Sequence, residues 1–111
     1  MERKKTKRAY LVGIKGIAMT GLAVYLKEKG YFVAGSDVRD TFPTDEILNK
    51  YSIPVLKGFH PGNLGDFKFD FVVVTGAHGG LTNIEAQAAI EHKLHVFMHG
   101  KFIGKLMEGF F

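Results

Sequence analysis

Val12-Gly13-Ile14-Lys15-Gly16-Ile17-Ala18-Met19-Thr20-Gly21 decides the fold of this chain. A short apolar run, Ala9-Tyr10-Leu11-Val12, precedes it, and an apolar stretch at helical spacing follows. The order predicts a strand, a tight glycine turn and a helix. A helix N-terminus presents unpaired N–H groups and a partial positive charge of about +0.5. An anion placed there is hydrogen-bonded without any charged side chain. Gly13, Lys15 and Ala18 occupy the three places of the dinucleotide pattern G-x-G-x-x-G, so only the first is glycine. Ala18 suits a place that mainly serves helix–strand packing. Lys15 puts a side chain where a diphosphate would approach, unless it points outward or meets a phosphate as a point charge. Spacing alone leaves two readings open, a diphosphate-binding turn and an ordinary turn without a ligand.

Working outward, Ile17 to Lys29 predicts the first helix, with Ala18, Leu22, Tyr25 and Leu26 on one face and Gly30 as its stop. Tyr31 to Gly35 predicts the second strand, running into Ser36-Asp37. Asp37 lies roughly 24 residues beyond Gly13, near the place where an acidic residue meets a ribose hydroxyl. A turn aspartate capping local N–H groups fits the same residue. Pro43 opens a helix with Ile47, Leu48 and Tyr51 on its apolar side, and Ile53-Pro54-Val55-Leu56 is a short edge strand. Phe59 to Leu64 is loop or a single turn. Phe69 to Thr75 is the strongest strand, β-branched and aromatic as a buried parallel strand should be. After a loop from Gly76 to Leu81, Thr82-Asn83-Ile84-Glu85 has capping-box spacing and starts a helix with Ala86, Ala89 and Ile90 buried. Leu94 to Phe97 is the fifth strand. The alternation predicts an α/β, Rossmann-like parallel sheet of about five strands with helices on both faces.

A chain of 111 residues with 46% hydrophobic content fits one domain with a buried core. The domain is expected to span residues 9–111 behind a basic tail, 1–8. Five of the 15 basic residues lie in that tail, and without it the domain is close to neutral. The tail reads as a solvated terminus or as a nucleic-acid or membrane contact. No aromatic platform with interleaved basic residues supports the second, so no nucleic-acid partner is expected. No apolar run approaches the ~18 residues of a membrane span, so no membrane partner is expected either. The absence of cysteine excludes disulfides, thiolate metal sites and a cysteine nucleophile, and fits a cytoplasmic protein.

Other chemistry finds little support. His92, His95 and His99 straddle a helix end, a strand and a loop and share no face, so no metal site is expected. His78, in the glycine loop after the strongest strand, is the histidine best placed for a ligand. No G-x-S-x-G elbow occurs, and Asp45-Glu46 reads as helix N-terminal charge. Near the end of the chain, Phe102, Ile103, Leu106, Met107 and Phe110 cluster on one side of an amphipathic segment. They either tuck onto the domain or await a partner.

The stretch from Tyr10 to Ala23 resembles the opening of Mur-type peptidoglycan ligases, the UDP-N-acetylmuramate–L-alanine ligases and the related murein-tripeptide ligases in particular, with their pattern F-V-G-I-G-G-I-G-M-S-G-L-A. Gly35-Ser36-Asp37 is similar to their G-S-D, and Gly58-Phe59-His60-Pro61-Gly62-Asn63-Leu64 to their G-H-x-x-x-N-L with one residue inserted. Val72 to Ala77 is similar to V-V-V-S-S-A, and Asn83-Ile84-Glu85 to N-P-E. The resemblance implies the first domain of a three-domain, ATP-dependent amide ligase, the part that holds the UDP of UDP-N-acetylmuramate. It implies that Gly13, Gly16 and Ile17 offer backbone to the diphosphate, with Lys15 beside them. It also implies Asp37 near the ribose or uracil, with Ser36 before it a candidate, and Thr75, Gly76 and Ala77 on the opposite wall, where His78 follows in the loop. His60 and Asn63 are further candidates. Lys15 and Ala18 replace family glycines. The chain has no G-x-x-x-x-G-K-[ST] or the related G-T-H-G-K-T, so no cofactor is expected in this domain and ATP and Mg²⁺ belong to the full-length ligase. The central ATP-binding and C-terminal domains are expected to be absent, the chain inactive alone, and the rest of the ligase to meet it through the C-terminal helix.

Two other classes remain on the residues alone. One is a stand-alone NAD or adenine nucleotide-binding sensor or dehydrogenase fragment, weakened by the broken glycine pattern. The other is a non-binding interaction domain that uses the apolar C-terminal helix.

Overall fold

In the computed structural model of the chain, residues 6–109 are described. Five parallel strands, β1 (Arg8–Val12), β2 (Phe32–Asp37), β3 (Val55–Lys57), β4 (Phe71–Val74) and β5 (Val96–Met98), form one sheet in the order β3-β2-β1-β4-β5. Four helices intervene or follow: α1 (Ile17–Glu28), α2 (Thr44–Lys50), α3 (Ile84–Glu91) and α4 (His99–Met107). Single 3₁₀ turns occupy Pro61–Leu64 and Gly80–Thr82. The order reverses between β1 and β4, and the crevice outside the carboxyl ends of those strands is where open α/β sheets bind ligands.

Strand alternation divides the interior. Ala9, Leu11, Phe71 and Val73 face one side, where they pack with Leu22, Ala23 and Leu26 of α1, Leu48 of α2 and Phe102 of α4. Tyr10, Val12, Val72 and Val74 face the other, against Leu64 and Ala86, Ala88 and Ala89 of α3. Successive Cβ atoms point to opposite faces, so the central strands are apolar on both faces, apart from Arg8 at the start of β1 and Ser36-Asp37 at the end of β2. The α1–α2 side carries the larger hydrocarbon cluster, and Phe102 closes it by stacking on Phe71 at 4.8 Å between centroids.

Several expectations shift. β1 begins at Arg8, one residue inside the stretch read as tail. The Arg8 N–H donates to Asp70 Oδ2 (2.6 Å), its Nε to the Lys68 carbonyl (2.8 Å), and its guanidinium lies over the Phe32 ring. Residues 1–5 of that tail and Phe110 lie outside the described residues. On α1 the buried face is Met19, Thr20, Leu22, Ala23 and Leu26 rather than Ala18 and Tyr25. The rotation follows from where the turn delivers the helix: Met19 and Ala23 land over the sheet and Ile17 in solvent. Ile47 and Ile90, assigned to buried faces, are exposed. In the terminal segment Phe102 is core, Ile103 and Leu106 pack partly against it, and Met107 is exposed. Among the described residues no helix is long and apolar enough to cross a membrane.

Candidate functional site

The turn after β1 is held from below by the backbone of β2. The N–H groups of Gly13 and Ile14 both donate to the Ser36 carbonyl, at 2.9 and 3.0 Å. Gly13 has φ +81°, and a Cβ there would stand 2.2 Å from Thr75 Cγ2. Any side chain would therefore be strained by the backbone and collide with the end of β4. Ile14 turns inward, fully buried, and lies over Gly35, where a Cβ would meet the Leu11 carbonyl at 2.4 Å and Ile14 Cδ1 at 2.8 Å. Gly13 and Gly35 thus let β1, β2 and β4 close together beneath the turn.

Residue 15 is fixed on three sides. Its N–H donates to Asp37 Oδ2 (2.8 Å), its carbonyl accepts the Thr44 hydroxyl (2.6 Å), and its Nζ donates to the Asp40 carbonyl (2.7 Å) while pairing with Asp45 Oδ1 at 3.1 Å. The Lys15 side chain is therefore largely buried against the start of α2, a placement outside the three orientations open on sequence. Burial opposes ionisation of Asp45, but the Phe42 N–H and the Lys15 ammonium, with Lys57, together outweigh it and hold this carboxyl below its usual range.

The turn then releases α1 with its first amides free. Gly16, the N-cap, is extended at φ −60° and ψ 149°, no side chain caps the helix, and its first turn carries no acidic residue. The first intrahelical bond is Thr20 N–H to the Gly16 carbonyl (2.8 Å), so the amides of Ile17, Ala18 and Met19 have no acceptor within the helix. Gly16 and Ile17, at this helix start, line a cleft of about 340 Å³ together with Asp37, Phe42, Thr44 and His78. Lys15 is also on its wall. Oriented donors without a cap, beside an open cleft, suit an anion.

The sequence-selected residues divide into three groups. Lys15, Gly16, Ile17, Asp37 and His78 line the cleft together, with Gly13 and Thr75 in contact beneath it. Gly76 and Ala77 are exposed on the loop after β4, where the Ala77 N–H makes a long bond to Thr75 Oγ1 (3.4 Å). Ser36, His60 and Asn63 lie elsewhere, around Glu85. The Ser36 side chain is fully buried and donates to Glu85 Oε1. The His60 N–H and Asn63 Nδ2 donate to Glu85 Oε2 at 2.9 and 2.7 Å. His60 Nδ1 accepts from the Gly62 N–H and so caps its own 3₁₀ turn.

Asp37 is also more occupied than a free ribose acceptor would be. Besides Lys15, it accepts the Val38 N–H at Oδ1 (2.7 Å), and His78 Nε2 stands 3.4 Å from the same oxygen. His78 adopts a left-handed φ of +53° and rests its ring on Phe59 at 5.3 Å. The residues missed on sequence are Phe42, Pro43 and Thr44, which enter the cleft from the α2 entrance, and Glu85. The capping box expected at Thr82 does not form, and the N-cap lies one residue later. Asn83 is the N-cap and accepts the Glu85 N–H (2.8 Å), while the Glu85 carboxylate turns into the interior. Burial and the charge of Glu85 push the Tyr10 phenol well above its usual range, so it remains a donor.

Known proteins share this sequence pattern and fold. Residues 8–111 match the family model described as "Mur ligase family, catalytic domain". The chain is 34% identical over 110 residues to the UDP-N-acetylmuramate–L-alanine ligase of Streptococcus mutans, covering 98% of this chain and 24% of that protein. The corresponding ligase of Aquifex aeolicus is 33% identical over 108 residues, covering 97% and 23%. Among solved structures, UDP-N-acetylmuramate-alanine ligase from Thermotoga maritima superposes with a TM-score of 0.80 at 25% identity, over 91% of this chain and 23% of that one. UDP-N-acetylmuramate:L-alanyl-gamma-D-glutamyl-meso-diaminopimelate ligase from Neisseria meningitides gives 0.76 at 28% identity, over 91% and 31%. The chain spans about a quarter of the length of the curated relatives it matches.

Proposed function

The chain belongs to the Mur ligase family, and from that premise we propose that it is the N-terminal domain of a peptidoglycan-precursor ligase that holds the UDP part of UDP-N-acetylmuramate. The observation that carries this reading is the uncapped start of α1 beside a cleft whose turn is locked by Ser36 and Asp37. The diphosphate would accept from the amides of Ile17, Ala18 and Met19. Lys15, its ammonium paired with Asp45, would border the cleft without meeting the diphosphate, and Phe42 with Pro43 would offer an apolar surface for the nucleoside. Asp37 would act mainly by holding the Lys15 N–H and His78 rather than by binding a ribose with a free oxygen.

The parent reaction would be ATP-dependent amide formation between the muramate carboxyl and an amino acid, in the cytoplasm. ATP supplies phosphoryl activation of the carboxyl, with Mg²⁺ offsetting phosphate charge. The residues described here do not fit that pair. The sequence lacks a G-x-x-x-x-G-K-[ST] loop, and among the described residues no group of three or more His, Asp or Glu is placed to hold a metal ion. Neither ATP nor Mg²⁺ is therefore assigned to residues 8–111. The exposed side of α4 at Met107 is where the rest of such a ligase would dock.

Calorimetry with UDP-N-acetylmuramate, UDP and NAD tests the reading. Binding of the first two in preference to NAD is expected. Preference for NAD would favour a dehydrogenase-like fragment, and no binding of any would leave a non-binding interaction domain. Asp37→Ala is expected to weaken UDP binding by about 1–3 kcal/mol through loss of the ordered turn.

A further inference from the structure

Glu85 is fully buried, and its partners are hydroxyl, amide and backbone donors. Oε1 accepts from the Tyr10 hydroxyl (3.0 Å) and the Ser36 hydroxyl (2.5 Å), and Oε2 from the His60 N–H (2.9 Å) and Asn63 Nδ2 (2.7 Å). One side chain on α3 thereby joins β1, β2 and the 58–64 loop. An apolar side chain of similar size would fill this space without the cost of dehydrating a carboxylate. What it would lose is the connection.

We propose that Glu85 is a positioning residue for the cleft, coupling the turn after β1 to the 58–64 loop; this rests on the reading of the cleft as the UDP site. The first arm runs through Ser36. Its hydroxyl is held by Glu85, and its carbonyl accepts the N–H groups of Gly13 and Ile14. The second runs through the His60 N–H. The neighbouring Phe59 ring packs on His78, which lines the cleft and touches Asp37. Both walls of the cleft therefore lead back to one carboxylate, although Glu85 does not line the cleft.

The donors dictate the variants. The His60 N–H and the Asn63 amide nitrogen can only donate, whereas the Tyr10 and Ser36 hydroxyls both donate and accept. In Glu85→Gln the carbonyl can face the first pair and the NH₂ the second, so every connection survives. Glu85→Met fills the space and loses all four. UDP affinity of the 111-residue chain is measured alongside amide hydrogen exchange at Gly13, Ile14 and His60. Glu85→Met is expected to lower affinity about tenfold and speed exchange at all three amides. Glu85→Gln should stay within about threefold of the unsubstituted chain with its exchange unchanged. If Glu85→Met binds and exchanges like the unsubstituted chain, Glu85 only fills space and the proposal is overturned. If the unsubstituted chain does not bind UDP, the functional reading fails, and exchange at Gly13 and Ile14 alone decides the coupling. Should Glu85→Met not fold, Asn63→Ala removes one of the two donors to Oε2, the one beside the His60 N–H. Faster exchange at His60 with weaker binding supports the proposal, and unchanged values of both overturn it.

Discussion

The two faces of the sheet are held by different physics. On the α1–α2 side the contacts are hydrocarbon and aromatic, closed by Phe102 against Phe71 and Phe97. On the α3 side smaller apolar residues surround a carboxylate that accepts four hydrogen bonds. Dispersion and area burial are non-directional, so the first face provides stability without specifying where a loop must stand. Hydrogen bonds to a fixed carboxylate are directional, so the second orients the segments that build the cleft. Apolar stability is thus concentrated on the first side, and the α3 side adds directional control of the turn and the 58–64 loop, while Thr44 and Asp45 hold Lys15 from the start of α2.

The largest test of that contrast is Phe102→Ala. Removing a fully buried aromatic is expected to cost about 3–5 kcal/mol in denaturant unfolding. UDP affinity of the folded fraction should be unchanged; a parallel loss of affinity would break the division between faces. Gly13→Ala comes next, because it combines a left-handed backbone with the clash against Thr75. About 2–4 kcal/mol of destabilisation is expected, with weaker UDP binding. Thr75→Ser in the same chain should recover part of it, whereas Gly16→Ala, whose φ is ordinary and whose surroundings are open, should cost less than about 1 kcal/mol.

On the polar face, Tyr10→Phe is expected to cost about 1 kcal/mol at neutral pH. Since the folded-state value of this phenol lies above its unfolded one, its contribution is complete below about pH 10 and is lost as pH rises further. Unfolding scans in alkali should show the unsubstituted chain losing stability more steeply than Tyr10→Phe. The smallest effect belongs to the Lys15–Asp45 pair, whose lysine is buried and whose aspartate is partly exposed. Asp45 is held below its usual range, so its contribution is present above about pH 4 and is lost as pH falls through the folded-state value. Asp45→Asn should flatten that acid limb by no more than about 1 kcal/mol.

The architecture was legible because parallel strands buried on both faces are apolar throughout and their connecting turns carry glycine, both of which are local signals. The five strands, their order of appearance and the turn at Gly13–Gly16 are all plain in the residues; the family resemblance and the loop position of His78 bring Gly16, Ile17, Asp37 and His78 to one cleft, but Ser36, His60 and Asn63, expected with them, stand around Glu85 instead. The exposed positions of Ala18 and Tyr25 on α1 were not legible. A short helix in which most residues are apolar leaves its rotation to the sheet it meets.

Composition and pattern by themselves determined that this chain forms a parallel α/β sheet with a glycine turn at the start of its first helix, because backbone preference and hydrophobic period act between near neighbours. Only the tertiary structure decided where the charged and polar side chains went. Lys15 turned to Asp45 on α2, and Glu85 left the cap of its own helix for Tyr10, Ser36, His60 and Asn63. Those partners lie 22 to 75 residues away along the chain. A hydrogen bond depends on distance and angle in space, which no local period records.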